Sequence, residues 1–205
     1  MPDHYYTQTP TSAHKPGQVD FLWRGAKLVF ETDSGVFSRT EIDKGTEILL
    51  NALPEELTGS LLDMGCGYGV IGVTLGKRYP GLSVVMSDVN ERAVELSRRN
   101  AQRNGVPARV MQSDGYADVS FQRMDWIVQN PPIRAGKSVI YAMFAEGARR
   151  LEPSGELWLV IRKQQGAESA VRYLKTLFGR VEAVSKKGGF WVLRCTQPAE
   201  RPDEE

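Results

Sequence analysis

The sequence predicts an α/β protein: a mostly parallel seven-stranded sheet with an antiparallel terminal strand, plus a small N-terminal β-hairpin. Three observations carry that expectation. From residue 60 onward, short apolar runs alternate with helix-length stretches, the pattern of a parallel sheet covered on both faces. Near the C-terminus two strand-like runs flank Lys187-Gly188-Gly189 with no helix between them, so the sheet closes on a hairpin. Ahead of the alternation, Phe21/Trp23 and Leu28/Phe30 alternate with other residues on either side of Arg24-Gly25, a second hairpin over 19–32.

Taken in order, residues 1–18 are polar, contain Pro10, Pro16 and Gly17, and read as a flexible arm. A loop over 33–45 precedes a helix from about Thr46 to Leu53. Strands follow at 60–64, 83–87, 108–112, 124–128 and 156–161, with helices at 70–78, 90–103, 138–150 and 167–177. Residues 19–195 make a single domain, and 196–205 read as a flexible tail. A chain of 205 residues is long enough to bury a substantial core.

Composition excludes several classes. The chain is 41% hydrophobic and 25% charged, ordinary for a globular protein, and its net charge is +1. The charge is unevenly spread: Arg134 to Arg194 holds 12 Lys+Arg and 5 Glu, so that stretch favours a polyanionic partner. The competing explanation is a set of solvated helix faces. Two cysteines, Cys66 and Cys195, make no disulfide framework, and the histidines, His4 and His14, have no ligand spacing, so no metal is expected. No apolar run reaches the roughly 18 residues of a membrane span, and no signal-peptide layout opens the chain. A cytoplasmic protein is expected.

The chemistry-bearing residues sit at strand ends. In LLDMGCGYGVIG (61–72), Gly65, Gly67 and Gly69 make a tight strand-to-helix turn with open backbone. Their spacing differs from the dinucleotide fingerprint and from a P-loop, and Asp63 beside the turn suits a ligand carrying positive charge. Asp88 ends the next strand, where a carboxylate can accept from both ribose hydroxyls; capping the following helix is its alternative role. Asp114 in MQSDGYAD either accepts from an adenine amino group or is a turn residue. Asn130 ends the run Met124–Val128 and precedes Pro131 and Pro132. All four polar residues fall on the edge where open α/β sheets bind ligands.

Together DMGCGYG, SDVN, SDGY and NPPI resemble the class I S-adenosylmethionine-dependent methyltransferases over residues 60–195. The resemblance implies a Rossmann-like fold and S-adenosyl-L-methionine as cofactor. It implies that Gly65, Gly67 and Gly69 wrap the amino-acid part, with Asp63 near the ammonium. Asp88 would bind the ribose, and Asp114 with Gly115 the adenine. Cys66, Val89, Thr46 and Asn130 complete the cofactor set.

The Asn-Pro-Pro resembles the mark of enzymes that methylate a planar amino or amide nitrogen. Such a nitrogen has its lone pair spread into the π system and is a poor nucleophile. Two acceptors, the Asn130 side-chain oxygen and the Pro131 carbonyl, can grip its two N–H groups and aim the lone pair at a methyl donor. Pro131 and Pro132 fix φ and keep that carbonyl aimed.

SGVFSRTEIDKGTEILL (34–50), NPPIRAGK (130–137) and IRKQQGAESA (161–170) are similar to the small single-domain relatives of ribosomal RNA small subunit methyltransferase C, guanine-N2 enzymes. That likeness implies ribosomal RNA or a small-subunit particle as partner, no metal, and a monomer. Many Asn-Pro-Pro enzymes carry an aromatic next; here it is Ile133, which packs on a base with less than the roughly 1–3 kcal/mol of aromatic stacking. Phe37 either supplies the missing ring or anchors the hairpin. Arg39, Arg134 and Lys137 stand as phosphate contacts near the pocket, each with a solvated surface charge as its alternative, and Lys163 is a similar case. Three other readings stay open: protein glutamine-N5 methylation, adenine-N6 methylation, and a non-catalytic RNA-assembly module.

Overall fold

The computed structural model describes residues 8, 9, 11–119 and 123–199. Its main sheet has seven strands: β3 (Gly59–Met64), β4 (Leu82–Asp88), β5 (Ala108–Gln112), β6 (Met124–Gln129), β7 (Leu151–Arg162), β8 (Phe178–Lys187) and β9 (Phe190–Pro198). They lie in the order β5-β4-β3-β6-β7-β9-β8, and β9 alone runs antiparallel, between β7 and β8. The chain leaves β3 toward one edge through β4 and β5, then returns to start β6 on the other side of β3. That reversal opens a crevice at the C-terminal ends of β3 and β6, where doubly wound sheets take their ligands.

Helices α1 (Lys44–Ala52), α2 (Val70–Arg78), α3 (Glu91–Arg103), α4 (Lys137–Arg149) and α5 (Ala167–Leu174) cover the sheet. Apolar residues fill both sides. One cluster joins Leu49, Leu61, Val73, Val84 and Val192 under α1–α3; the other joins Ile127, Phe144, Leu157, Leu159 and Leu174 under α4 and α5. The middles of the central strands, Leu61-Leu62 and Ile127-Val128, are apolar because both faces of the sheet are covered there.

The N-terminal hairpin pairs β1 (Gly17–Trp23) with β2 (Ala26–Thr32) through a two-residue turn in which Arg24 and Gly25 both have positive φ, 46° and 82°. Val19, Trp23, Leu28 and Phe30 form its buried face. Two asparagines one turn apart on α3 dock it. Asn100 accepts from the Glu31 N–H and donates to the Glu31 carbonyl; Asn104 does the same for Val29. Side-chain amides thus pair the outer edge of β2 at Val29 and Glu31 as a neighbouring strand would.

Boundaries differ from the sequence expectations in physical ways. The described part of the expected arm is tied to the body: Gln8 accepts from the Glu91 N–H, Arg92 donates to the Ser12 carbonyl, and the Lys15 N–H donates to Asp33. β1 begins at Gly17, inside that arm. Residues 1–7 of the arm and 200–205 of the tail lie outside the described residues, while β9 runs to Pro198 because Phe178 pairs with it. The first helix starts at Lys44, two residues early, because Asp43 caps it by accepting from the Thr46 N–H at 2.9 Å.

Candidate active site

A cavity of about 880 Å³ opens at the β3/β6 crevice. Its floor is the glycine turn. The N–H groups of Gly65 and Cys66 donate to the Ser87 carbonyl, which ties the turn to the end of β4. Gly65, Gly67 and Gly69 have φ of +72°, +56° and +91°, the left-handed region that favours glycine. They are glycines for two different reasons. A Cβ on Gly65 or Gly67 would meet nothing within 4 Å, and both line the cavity. A Cβ on Gly69 would lie 3.1 Å from Ser97 Oγ and 3.3 Å from Val73, so Gly69 serves the close packing of α2 and α3 and is not in the wall.

Asp88 stands beside this turn. Its Oδ2 accepts from the Gly67 N–H at 2.8 Å and its Oδ1 from the Asn90 N–H at 2.9 Å. Burial raises its pKa against the pull of those backbone donors. The helix-cap alternative goes to Asn90, whose side chain accepts from the Ala93 N–H, so Asp88 is left facing the cavity. Val89, Asp114, Gly115 and Cys66 also line it.

Asp63 is set back from the cavity. It is fully buried beneath the turn and is not in the cavity wall. Its Oδ2 accepts from the Gly72 N–H at 2.8 Å, and its Oδ1 has no partner among the described residues. Desolvation pushes its pKa up to about 7, with the Asp88 charge adding to the rise. A buried, half-satisfied carboxyl under a cavity suits a cationic ligand above it.

Asn130 forms the opposite wall. Its Nδ2 donates to Asp43 Oδ2 at 3.0 Å and to Thr46 Oγ1 at 3.1 Å. A carboxylate only accepts, so the amide nitrogen must face Asp43 and the amide oxygen must face away from it. Thr46, expected in the cofactor set, lines the cavity and also holds Asn130. Pro132 is in the wall; Pro131 is buried outside it, and its carbonyl has no hydrogen-bond partner among the described residues.

The substrate-side expectations divide. Phe37, 40% exposed, and Arg134 line the cavity. Three others do not. Ile133 packs against the α4/α5 core, because the helical turn Ile133–Ala135 rolls its side chain inward. Arg39 points back to the Lys15 carbonyl, 3.5 Å away. Lys137 opens α4 and passes Gly166, outside the wall. Lys163 is exposed, its N–H bonded to the Gly189 carbonyl. Sequence reasoning missed Asp43 and the α4 residues Val139, Met143 and Glu146 that complete the cavity. Asp43 had a readable signal, a cap three residues before Thr46. The α4 residues look like any amphipathic helix.

Among the described residues, no helix is long and apolar enough to cross a membrane, and no group of three or more His, Cys, Asp or Glu is placed to hold a metal ion.

Strand order, the single antiparallel β9 and a glycine turn facing an Asn-Pro-Pro define a Rossmann-like methyltransferase fold. The chain belongs to the methyltransferase small domain family, whose model matches residues 27–194. It is 44% identical to the uncharacterized protein YbxB of Bacillus subtilis, over 95% of this chain and 98% of that one. It is 42% identical to ribosomal RNA small subunit methyltransferase C of Hahella chejuensis, over 77% of this chain and 49% of that one. Among solved structures, it resembles a T. thermophilus 16S rRNA N2 methyltransferase in complex with AdoMet and guanosine, with a TM-score of 0.80 and 27% identity, covering 91% of this chain and 51% of the other. The chain thus spans about half the length of the methyltransferase C relatives it matches.

Proposed function

We propose that this protein is an S-adenosylmethionine-dependent methyltransferase acting on the N2 amino group of guanine in ribosomal RNA. The observation that carries the reading is the fixed orientation of Asn130. Asp43 and Thr46 take both its N–H donors, so Oδ1 is presented as an acceptor before any substrate arrives.

The residues fit the cofactor. Asp88 accepts from ribose hydroxyls, Asp114 and Gly115 meet the adenine, and the open backbone of Gly65 and Gly67 allows close approach. The unpartnered oxygen of Asp63 offers charge to an ammonium directly or through water. Bound there, S-adenosylmethionine supplies an electrophilic methyl group. Asn130 Oδ1, on the facing wall, accepts one N–H of the target amine, and the carbonyl of the next residue, Pro131, which has no partner among the described residues, accepts the other. That grip turns the lone pair out of conjugation and toward the cofactor. No strong base is required, because the nitrogen gives up its proton after it has gained positive charge.

Two further points support RNA as the substrate. The solved T. thermophilus relative carries AdoMet and guanosine together. The second is charge. Lys44, Arg134, Lys137, Arg162, Lys163, Lys186 and Lys187 are exposed at or just past the C-terminal edge of the sheet. None forms an ion pair among the described residues. A polyanion laid along that rim would meet cations without carboxylate partners, two of which, Arg162 and Lys186, lie over the rings of Phe190 and Trp191.

The test is labelled methyl transfer to ribosomal RNA from a strain lacking the gene, with nucleoside mass spectrometry of the digest. N2-methylguanosine is expected. Methylglutamine in the protein fraction, or N6-methyladenosine, would overturn the reading.

A further inference from the structure

Asp43 is a half-buried carboxylate in the cavity wall, and its two oxygens are used unequally. Oδ2 takes the Thr46 N–H at 2.9 Å, the Asn130 Nδ2 at 3.0 Å and the Thr46 hydroxyl at 3.5 Å. Oδ1 takes nothing among the described residues, and neither does Asn130 Oδ1. The nearby donors are committed elsewhere: the Tyr68 hydroxyl donates to the Ser38 carbonyl, and both Asn130 N–H groups are used. Asp43 and Asn130 are bonded to each other in this wall, and each keeps one oxygen that no donor among the described residues uses.

The bases differ on this point. The Watson–Crick edge of guanine presents N1–H beside the N2 amino group, donor next to donor. Adenine and cytosine present a ring nitrogen acceptor beside their amino group, and a glutamine amide presents its own carbonyl oxygen. Only guanine satisfies an acceptor pair here; the others would set a lone pair against a carboxylate.

We propose that Asp43 reads guanine: its Oδ1 accepts the N1–H while Asn130 Oδ1 holds one N2 hydrogen. The same carboxylate fixes Asn130 through Oδ2, so one residue positions the amine-gripping group and selects the base. This rests on the guanine-N2 reading above and makes it specific.

The experiment compares two short single-stranded RNAs that differ at one base, guanine or 2-aminopurine. Both carry a 2-amino group, but N1 of 2-aminopurine is an acceptor. The wild type is expected to prefer guanine by about 100-fold or more in kcat/KM for methyl transfer. Asp43→Asn keeps the size and the helix cap, and its amide can donate to N1 of 2-aminopurine. The preference should fall at least about tenfold, whatever happens to the absolute rate. A merely structural role would lower both substrates together, so an unchanged ratio overturns the proposal. A wild type that methylates 2-aminopurine as well as guanine overturns it also. Transfer by the wild type to neither RNA overturns the guanine-N2 reading itself, and the Asp43 assignment with it.

Discussion

The two walls of the cavity are built in opposite ways. The cofactor wall is local: Gly65, Gly67 and Asp88 are joined within β3, its turn and the end of β4, with Asp88 21 positions after Gly67. The acceptor wall is assembled at long range: Asn130 is held by Asp43 and Thr46, 87 and 84 residues away. The first wall must bind a ligand that many proteins share, and a short turn with a following carboxylate suffices. The second must hold one amide in one orientation, which takes donors and acceptors from separate elements.

If the walls divide the work in this way, variants should separate binding from transfer. The largest effect is expected at Asn130. Asn130→Ala removes the acceptor proposed to grip the amine, and kcat should fall by about 10²–10³ in a labelled-transfer assay at saturating cofactor. A fall of less than tenfold would mean the amine is held by something else. Asp88→Ala should act in the other direction: calorimetry should show cofactor binding weakened about 10–100-fold, while kcat at saturation stays within a few-fold of wild type. A matching loss of kcat would merge the two walls into one function.

Thr46→Val sharpens the comparison, because Thr46 lines the cavity and also holds Asn130. If its main role is the lock, kcat drops about tenfold with cofactor affinity unchanged. If it drops affinity alone, it belongs to the other wall. A smaller effect is expected at the rim. Lys186→Gln with Lys187→Gln should raise the KM for RNA a few-fold and flatten the salt dependence of binding by about one to two units of slope, with no change in cofactor affinity.

The smallest test concerns pH. Burial holds the Asp63 pKa at about 7 in the folded state against an ordinary 3.8, so between those values the folded state holds a proton that the unfolded state releases. Its contribution to stability is present below the unfolded value and is lost as pH rises through the folded one. The Tm of the cofactor-free wild type, relative to Asp63→Asn, should therefore decline between pH 4 and pH 8. A flat difference would mean Asp63 is ionised throughout.

The same contrast explains how much was legible in the sequence. The strand–helix alternation, the terminal hairpin and the glycine turn are local patterns and are legible; the strand order, which reverses at β3, is set by long-range pairing and is not. The roles of Asn100 and Asn104 were not legible, because an amide that pairs a strand edge has the same sequence appearance as a solvated helix residue. The capping role of Asp43 has a sequence signal; its contact with Asn130 exists only once the end of β6 lies beside the start of α1. Ile133 illustrates the converse error. It follows the prolines and was expected at the substrate, yet one helical turn rotates it into the core.

The most direct measurement is cofactor binding by Asn130→Ala, taken alongside its loss of methyl transfer. The division between the walls predicts that its Kd for S-adenosylmethionine stays within about threefold of wild type. A variant that loses transfer because it no longer binds the cofactor would contradict it.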